Sequence, residues 1–169
     1  MQLTDNTRRF IQIIDKIPMF HRLKPNQALE ILRLCKPCAF SNREIVCEHG
    51  THSAEMYILL SGELIVTAPD GTPLTKLSPV TIVGEMGLIT GQPRSATVIA
   101  KGLSNVFEIP KLKFDILLKK YPEIGSVIYR NIIYILSQRL GENNKLLAAS
   151  QRELANVRSQ AAMEPSLEP

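Results

Sequence analysis

Residues 83–97 read Val-Gly-Glu-Met-Gly-Leu-Ile-Thr-Gly-Gln-Pro-Arg-Ser-Ala-Thr. Gly84 and Gly87 flank Glu85, and nine residues after the glutamate comes Arg94, followed by two small residues, Ser95 and Ala96. Glycines at a turn let the backbone curl tightly and approach a ligand closely. Successive amides in such a turn, or at the start of a short helix, make a hollow that accepts an anion. An arginine adds a planar fork of donors suited to two phosphate oxygens at once. Glu85 is then available to accept from hydroxyls such as those of a ribose. A phosphate grip beside a hydroxyl reader describes a nucleotide site. It is not a triphosphate loop, because no G-x-x-x-x-G-K-[ST] occurs in the chain. The competing reading is a hairpin turned by Gly and Pro with a surface arginine, and spacing alone does not separate the two.

On both sides of this stretch the chain reads as short strands. From Ala39 to Ile109, runs rich in Val, Ile, Leu and Thr alternate with Gly, Pro, Asn and Asp: Glu44–Cys47, Met56–Leu60, Glu63–Ala68, Leu74–Leu77, Thr97–Ala100 and Asn105–Ile109. Pro69-Asp70-Gly71-Thr72 between two of them is a hairpin turn with a mechanism. Many short strands at this spacing predict a sandwich or roll, not alternating β and α units.

Helical periods lie outside the strands. Phe10, Ile13, Ile14 and Ile17 predict a helix over residues 4–17, capped by Thr4 or Asp5 and ended by Pro18. Pro25 opens a second helix to about Leu34, and the period returns after Pro110 at Lys111–Lys119. Farther on, Ile133, Leu140, Leu147, Leu154 and Ala161 recur every seven residues, with Leu136, Asn143, Ser150 and Val157 in the alternate seam. This spacing predicts a coiled-coil seam with one Asn in it, a residue that fixes register and oligomer state. The alternative is an amphipathic helix lying on its own domain.

Composition narrows the class. The chain has 169 residues, 44% of them hydrophobic and 21% charged, enough for a real core in one domain plus an appendage. The net charge of +4 is mild and no dense Lys/Arg run concentrates it, so charge implies no nucleic acid. No apolar run reaches the about 18 residues of a membrane span, and Met1-Gln2-Leu3-Thr4-Asp5 lacks a secretory pattern, so a cytoplasmic protein is expected. The odd set Cys35, Cys38 and Cys47 argues against a disulfide framework. With His49 and His52 these cysteines offer a zinc or redox reading, but Cys35 continues the apolar series Ala28, Ile31, Leu32 and reads better as core. No metal, no cofactor and no catalytic arrangement is expected; His21, His49 and His52 stand away from the 83–97 stretch.

Gly84-Glu85-Met86-Gly87-Leu88 followed by Pro93-Arg94-Ser95-Ala96-Thr97 resembles the phosphate-binding cassette of the cyclic nucleotide-binding domain family. The resemblance extends over roughly residues 17–145, through Met56–Glu63 with its glycine corner and through Arg139-Leu140 late in the long helix. Its nearest branch is the bacterial catabolite-activator type. It implies an α+β fold: an antiparallel β-roll (double-stranded β-helix or jelly roll) flanked by N-terminal helices and a long C-terminal helix. Residues 1–140 would form the binding domain with its C-helix, and 141–169 an extension and polar tail.

The resemblance also implies roles. Arg94 would pair with the cyclic phosphate, aided by the amides of Ser95 and Ala96 and the Ser95 hydroxyl. Glu85 would accept from the ribose 2′-hydroxyl, with Gly84 and Met86 in the contacting backbone. Leu88 would be the apolar relay that senses closure and contacts the C-helix. The base would meet Asn143-Asn144, with Tyr134 and Gln138 as alternatives. Ser95 after the arginine points to cyclic AMP, with cyclic GMP or a cyclic dinucleotide as alternatives. A homodimer through the C-helix and an unknown downstream protein are the implied partners. The chain departs from the family pattern at Val83, where an aromatic is common, at Ser78-Pro79, where Pro-Gly is common, and at Thr51–Ala54, which lacks a second glycine. Fewer than thirty residues follow Gly141, too few for a helix-turn-helix domain, so no DNA binding by this chain is expected.

Overall fold

The computed structural model describes residues 5–52 and 54–163, with the side chains of a few terminal helical residues left out. The chain divides into two units, one ending at Asn131 and one beginning at Ile132. In the first, helix α1 (Asp5–Lys16), a single 3-10 turn (Pro18–Phe20) and helix α2 (Pro25–Leu32) precede the strands. Thr4 and the Phe10 and Asp5 side chains lie outside the described residues. Strand β1 covers Lys36–Phe40, β2 Ile45–Cys47, β3 Glu55–Thr67, β4 Pro73–Leu77 and β5 Thr81–Val83. Then come helix α3 (Glu85–Thr90), strand β6 (Thr97–Pro110), helix α4 (Lys111–Lys120) and helix α5 (Pro122–Met163).

Two long antiparallel strands organise the roll. β3 and β6 pair along most of their lengths, from Glu55↔Pro110 to Thr67↔Thr97. Each changes its outer partner midway. The first half of β3 pairs with β5 and the second half with β4; β6 pairs with β2 near Val98 and Ile99, and with β1 from Ser104 to Glu108. The change happens at glycines. Gly62 in β3 has φ 93° and Gly102 in β6 has φ 77°, and the register between the two strands shifts beside Gly62. A left-handed residue bends a strand, and only glycine takes that conformation at no steric cost. Asn42 Oδ1 accepts the Gly102 amide at 2.8 Å and holds the second bend.

This corrects part of the sequence reading. Met56–Leu60 and Glu63–Ala68 are halves of one bent strand, as are Thr97–Ala100 and Asn105–Ile109, because a glycine in a strand turns the ladder without ending it. The strand region starts at Lys36, ahead of Ala39, and the second helix ends at Leu32, before Leu34. The hairpin at Pro69–Thr72 forms as its chemistry requires. Ala68 N–H donates to Thr72 O at 2.9 Å, and Asp70 Oδ1 accepts the Thr72 amide at 2.9 Å, which holds the Asp70 carboxyl below its ordinary range.

Alternation puts Phe40, Val46, Tyr57, Leu59, Leu64, Val83, Val98, Ala100 and Val106 into one core inside the roll. Phe40 and Tyr57 meet edge to face, with ring centroids 5.7 Å apart. A second apolar set comes from the helices: Ile14, Ile17, Met19, Phe20 and Ile31 near the N-terminus, and Phe114, Leu117, Ile124 and Ile128 from α4 and early α5 are buried. Asn131 Nδ2 donates to Met19 O at 3.0 Å and to His21 O at 2.8 Å, tying α5 to the 3-10 turn.

Two left-handed positions differ in their fitness for that role. At Gly62 an added Cβ would lie 2.6 Å from Leu103 O and 2.7 Å from Ser104 Cα, so backbone would have to move. Val80, just before β5, adopts φ 71° although it is β-branched; its amide donates to Leu59 O at 2.8 Å, which holds it there. Gly62→Ala is therefore expected to destabilise by more than about 2 kcal/mol. Val80→Gly is expected to stabilise by about 1 kcal/mol, because relief of roughly 1–2 kcal/mol of strain exceeds the entropy cost of glycine. Thermal unfolding checks both, since about 1 kcal/mol moves Tm by roughly 2–4 °C in a domain of this size.

Candidate nucleotide-phosphate site

The site lies where β5 ends and α3 begins. Ile82 and Val83 are buried, which fixes the strand, and the next residue turns the chain. Gly84 takes φ 84° and ψ 11° and caps α3. Glu85, in the first turn of α3, is 3% exposed, and Leu88 is fully buried. Gly91 closes α3 with φ 71°. These two left-handed glycines restrict the helix to six residues and return the chain towards Arg94.

Arg94 is held by its backbone and its side chain. Its amide donates to Thr51 O at 2.9 Å and its carbonyl accepts from Gly50 N–H at 2.9 Å. Its Nη2 donates to Glu55 O at 2.6 Å. The residue is 7% exposed, yet Nη1 is buried without a hydrogen-bond partner. Glu63 Oε1 also lacks a hydrogen bond by strict geometry, but it lies 2.9 Å from Lys101 Nζ and so has a counter-charge. Among the described residues, Arg94 Nη1 is thus the buried side-chain donor left unmet. An unsatisfied buried donor on a charged group is costly, and an acceptor removes the cost, an anion most effectively. Gly84 leaves the room that Nη1 occupies: a Cβ there would collide with it. Gly84 accordingly serves two ends, the left-handed turn and room for the guanidinium.

The neighbouring charges agree with this geometry. Burial pushes the Cys47 thiol above its ordinary value, and Glu55 and Glu85 add to the rise while Arg94 opposes it. Cys47 therefore lies within electrostatic reach of both Glu85 and Arg94. Cys35 is pushed up to about 12 by burial alone, and its Sγ, just past the end of α2, donates back to Ile31 O at 3.4 Å. The three cysteines are free and half-buried, and among the described residues no group of three His, Cys, Asp or Glu side chains is placed to hold a metal ion.

Of the residues singled out by sequence, the structure brings together Gly84, Glu85 and Arg94. Met86 is 46% exposed on the outer face of α3, Ser95 is exposed and Ala96 half-buried beside Arg94. Asn143, Asn144, Tyr134 and Gln138 are exposed on α5 in the second unit. Several participants carry no local sequence signal. Glu55 contributes a backbone carbonyl, and Gly50 and Thr51 contribute main-chain bonds. Lys111 Nζ donates to Leu88 O at 2.5 Å and pairs with Asp115 at 3.1 Å, so a lysine at the start of α4 caps the end of α3. The 23-residue separation of Leu88 and Lys111 hides that contact from any short-range pattern.

Comparison with known proteins agrees with the geometry. The sequence profile described as Cyclic nucleotide-binding domain matches residues 37–121, from β1 to the end of α4. A cyclic nucleotide-gated potassium channel of Rhizobium etli is 30% identical over 122 residues, which cover 72% of this chain and 34% of the channel. The chain thus spans about a third of the length of that relative. Among solved structures, a cyclic nucleotide-binding domain from Methylobacillus flagellatus superimposes with TM-score 0.74 at 20% identity, covering 86% of this chain and 84% of that one. The regulatory domain of Toxoplasma gondii PKA with cAMP gives TM-score 0.63 at 18% identity, over 69% of this chain and 46% of that one. Among the described residues no helix is long and apolar enough to cross a membrane. The buried arginine, the left-handed glycine beneath it, the bent-strand roll and the profile match together assign this chain to the cyclic nucleotide-binding domain family.

Proposed function

We propose that this chain is a cytoplasmic cyclic AMP sensor that works by binding, without catalysis, and passes the bound state on to a partner protein. The observation that carries the reading is Arg94 Nη1: a buried guanidinium nitrogen with no partner, aimed over Gly84. The cyclic phosphate supplies the missing acceptor, and the Ser95 hydroxyl and the amides of Ser95 and Ala96 share its other oxygens. Glu85 accepts from the ribose 2′-hydroxyl. Ser95 after the arginine favours adenine, and the cyclic AMP named in the solved Toxoplasma regulatory domain is in line with that choice.

The response starts at α3. Ligand drawn towards Glu85 and Arg94 shifts α3, and the Lys111–Leu88 bond carries the shift to α4. A signal requires that the ligand bind one arrangement of these helices better than another. The exposed heptad face of α5 supports a homodimer as the working form.

Titration calorimetry with cyclic AMP and, in parallel, cyclic GMP tests the reading. Micromolar or tighter binding of cyclic AMP is expected, and no heat with either ligand would overturn it. Arg94→Ala removes a charged partner from a desolvated phosphate, a loss of about 2–5 kcal/mol, so affinity should fall by at least about 30-fold. Glu85→Ala should weaken cyclic AMP far more than its 2′-deoxy analogue; equal losses would refute the ribose contact. Lys111→Met keeps the stem and loses the charge. It should weaken binding by roughly threefold to tenfold and speed hydrogen exchange of the α3 amides in the ligand-free protein.

A further inference from the structure

Helix α4 buries one face and leaves the other bare. Phe114, Leu117 and Leu118 are buried, while Leu112 and Ile116 are 72% and 56% exposed. Four residues apart, Leu112 and Ile116 stand one above the other on the helix. The same spacing sets Lys119 on one flank of the pair and Lys113 and Lys120 on the other, and all three lysines are exposed. Among the described residues neither Lys113 nor Lys119 has an ion pair, and Lys120 lies over the Tyr121 ring, 5.0 Å from its centroid. The acid on this helix, Asp115, is already paired with Lys111 at 3.1 Å. The next acid, Glu123, comes after the helix breaks at Tyr121. A short aliphatic strip is thus bordered on both sides by positive charge with no counter-charge of its own.

The strip fits one kind of surface. Two aliphatic side chains on the convex face of a helix offer far less than the about 800 Å² per partner of a stable protein interface. An anionic lipid surface needs no matching shape. It takes aliphatic side chains at the boundary of its acyl chains, while lysine stems reach past them to set their ammonium groups among the lipid phosphates and carboxylates. Each lysine held near such a surface multiplies partition by about fivefold. The net charge of +4 on the whole chain acts in the same direction.

We propose that α4 is a peripheral membrane contact for anionic lipid. Leu112 and Ile116 enter the interface, and Lys113, Lys119 and Lys120 sit at the headgroups. The contact is reversible, reaches the bilayer from one side, and does not depend on what the Arg94 site holds.

Cosedimentation of the full chain with lipid vesicles tests it. At about 0.1 M salt the chain should pellet with phosphatidylcholine vesicles containing about a third phosphatidylserine, stay in solution with phosphatidylcholine alone, and leave the membrane at about 0.5 M salt. The double variant Leu112→Gln, Ile116→Gln, made at exposed positions and checked for an unchanged Tm, should lose at least about tenfold in partition. Lys113→Glu should lose at least about tenfold as well. Lys76→Glu changes the net charge by the same amount at a distant place: Lys76 lies opposite Ile65 in the second half of β3, whereas the Lys111 amide bonds to Ala54 O just before that strand begins. It should change partition by less than about twofold. No pelleting with the phosphatidylserine vesicles overturns the proposal. Equal losses for Lys113→Glu and Lys76→Glu overturn it in favour of net charge alone, and full partition by the double variant overturns the entry of Leu112 and Ile116. Retention of the chain on immobilised polyglutamate without pelleting on vesicles overturns it in favour of an acidic polypeptide.

Discussion

The site depends on a buried guanidinium that is only partly satisfied. Arg94 is anchored by Glu55 O, clamped through its backbone by Gly50 and Thr51, and left with Nη1 unmet over Gly84. Much of the surrounding structure exists to hold it there. Ile82 and Val83 bury themselves to bring Gly84 to its place, and β3 carries the Glu55 carbonyl. The loop from Glu48 to Thr51 is closed onto the 94–97 segment from both sides, since His49 N–H donates to Thr97 Oγ1 at 3.0 Å. The arrangement keeps a donor dry and oriented, so an anion that met it would need little reorganisation of the protein.

Hydrophobic burial and ligand chemistry share the same strands. Val46 lies in the roll core, and Cys47 beside it on β2 packs against that core while feeling the charge of Arg94. Val98 packs in that core one residue after Thr97, whose hydroxyl holds the loop. Alternation along a strand lets one residue anchor the fold while the next serves the site. Packing faults in the roll core would accordingly reach the site through one peptide unit.

The cassette was legible because both halves are local. Gly84-Glu85 signals a turn with an acceptor, and Arg94 with its small followers signals an anion grip within the same short stretch. The hairpin at Pro69–Thr72 was legible for the same reason. The bends in β3 and β6 were not. The runs on either side of Gly62 and Gly102 read as separate strands, because a glycine that kinks a ladder and a glycine that terminates it look alike without knowledge of what pairs across from it. Lys111 and Asn42 were invisible in principle, since each acts on a segment that the chain reaches only after a long excursion. Val80 went unread for a different reason: its left-handed backbone opposes its own preference and is imposed by the Leu59 carbonyl.

The two bent strands also govern where this chain can change in length. Every residue of β3 and β6 is committed to a face, and each strand serves two different neighbours on either side of its bend. Adding or removing one residue within either strand would turn the core face of one half outwards and leave the other half in place. The Ala68–Thr72 hairpin carries no such commitment, because a longer loop there costs only the slowly growing entropy of closure. Insertions accepted over the history of such a domain should therefore gather at that outer hairpin, while the lengths of β3 and β6 stay fixed.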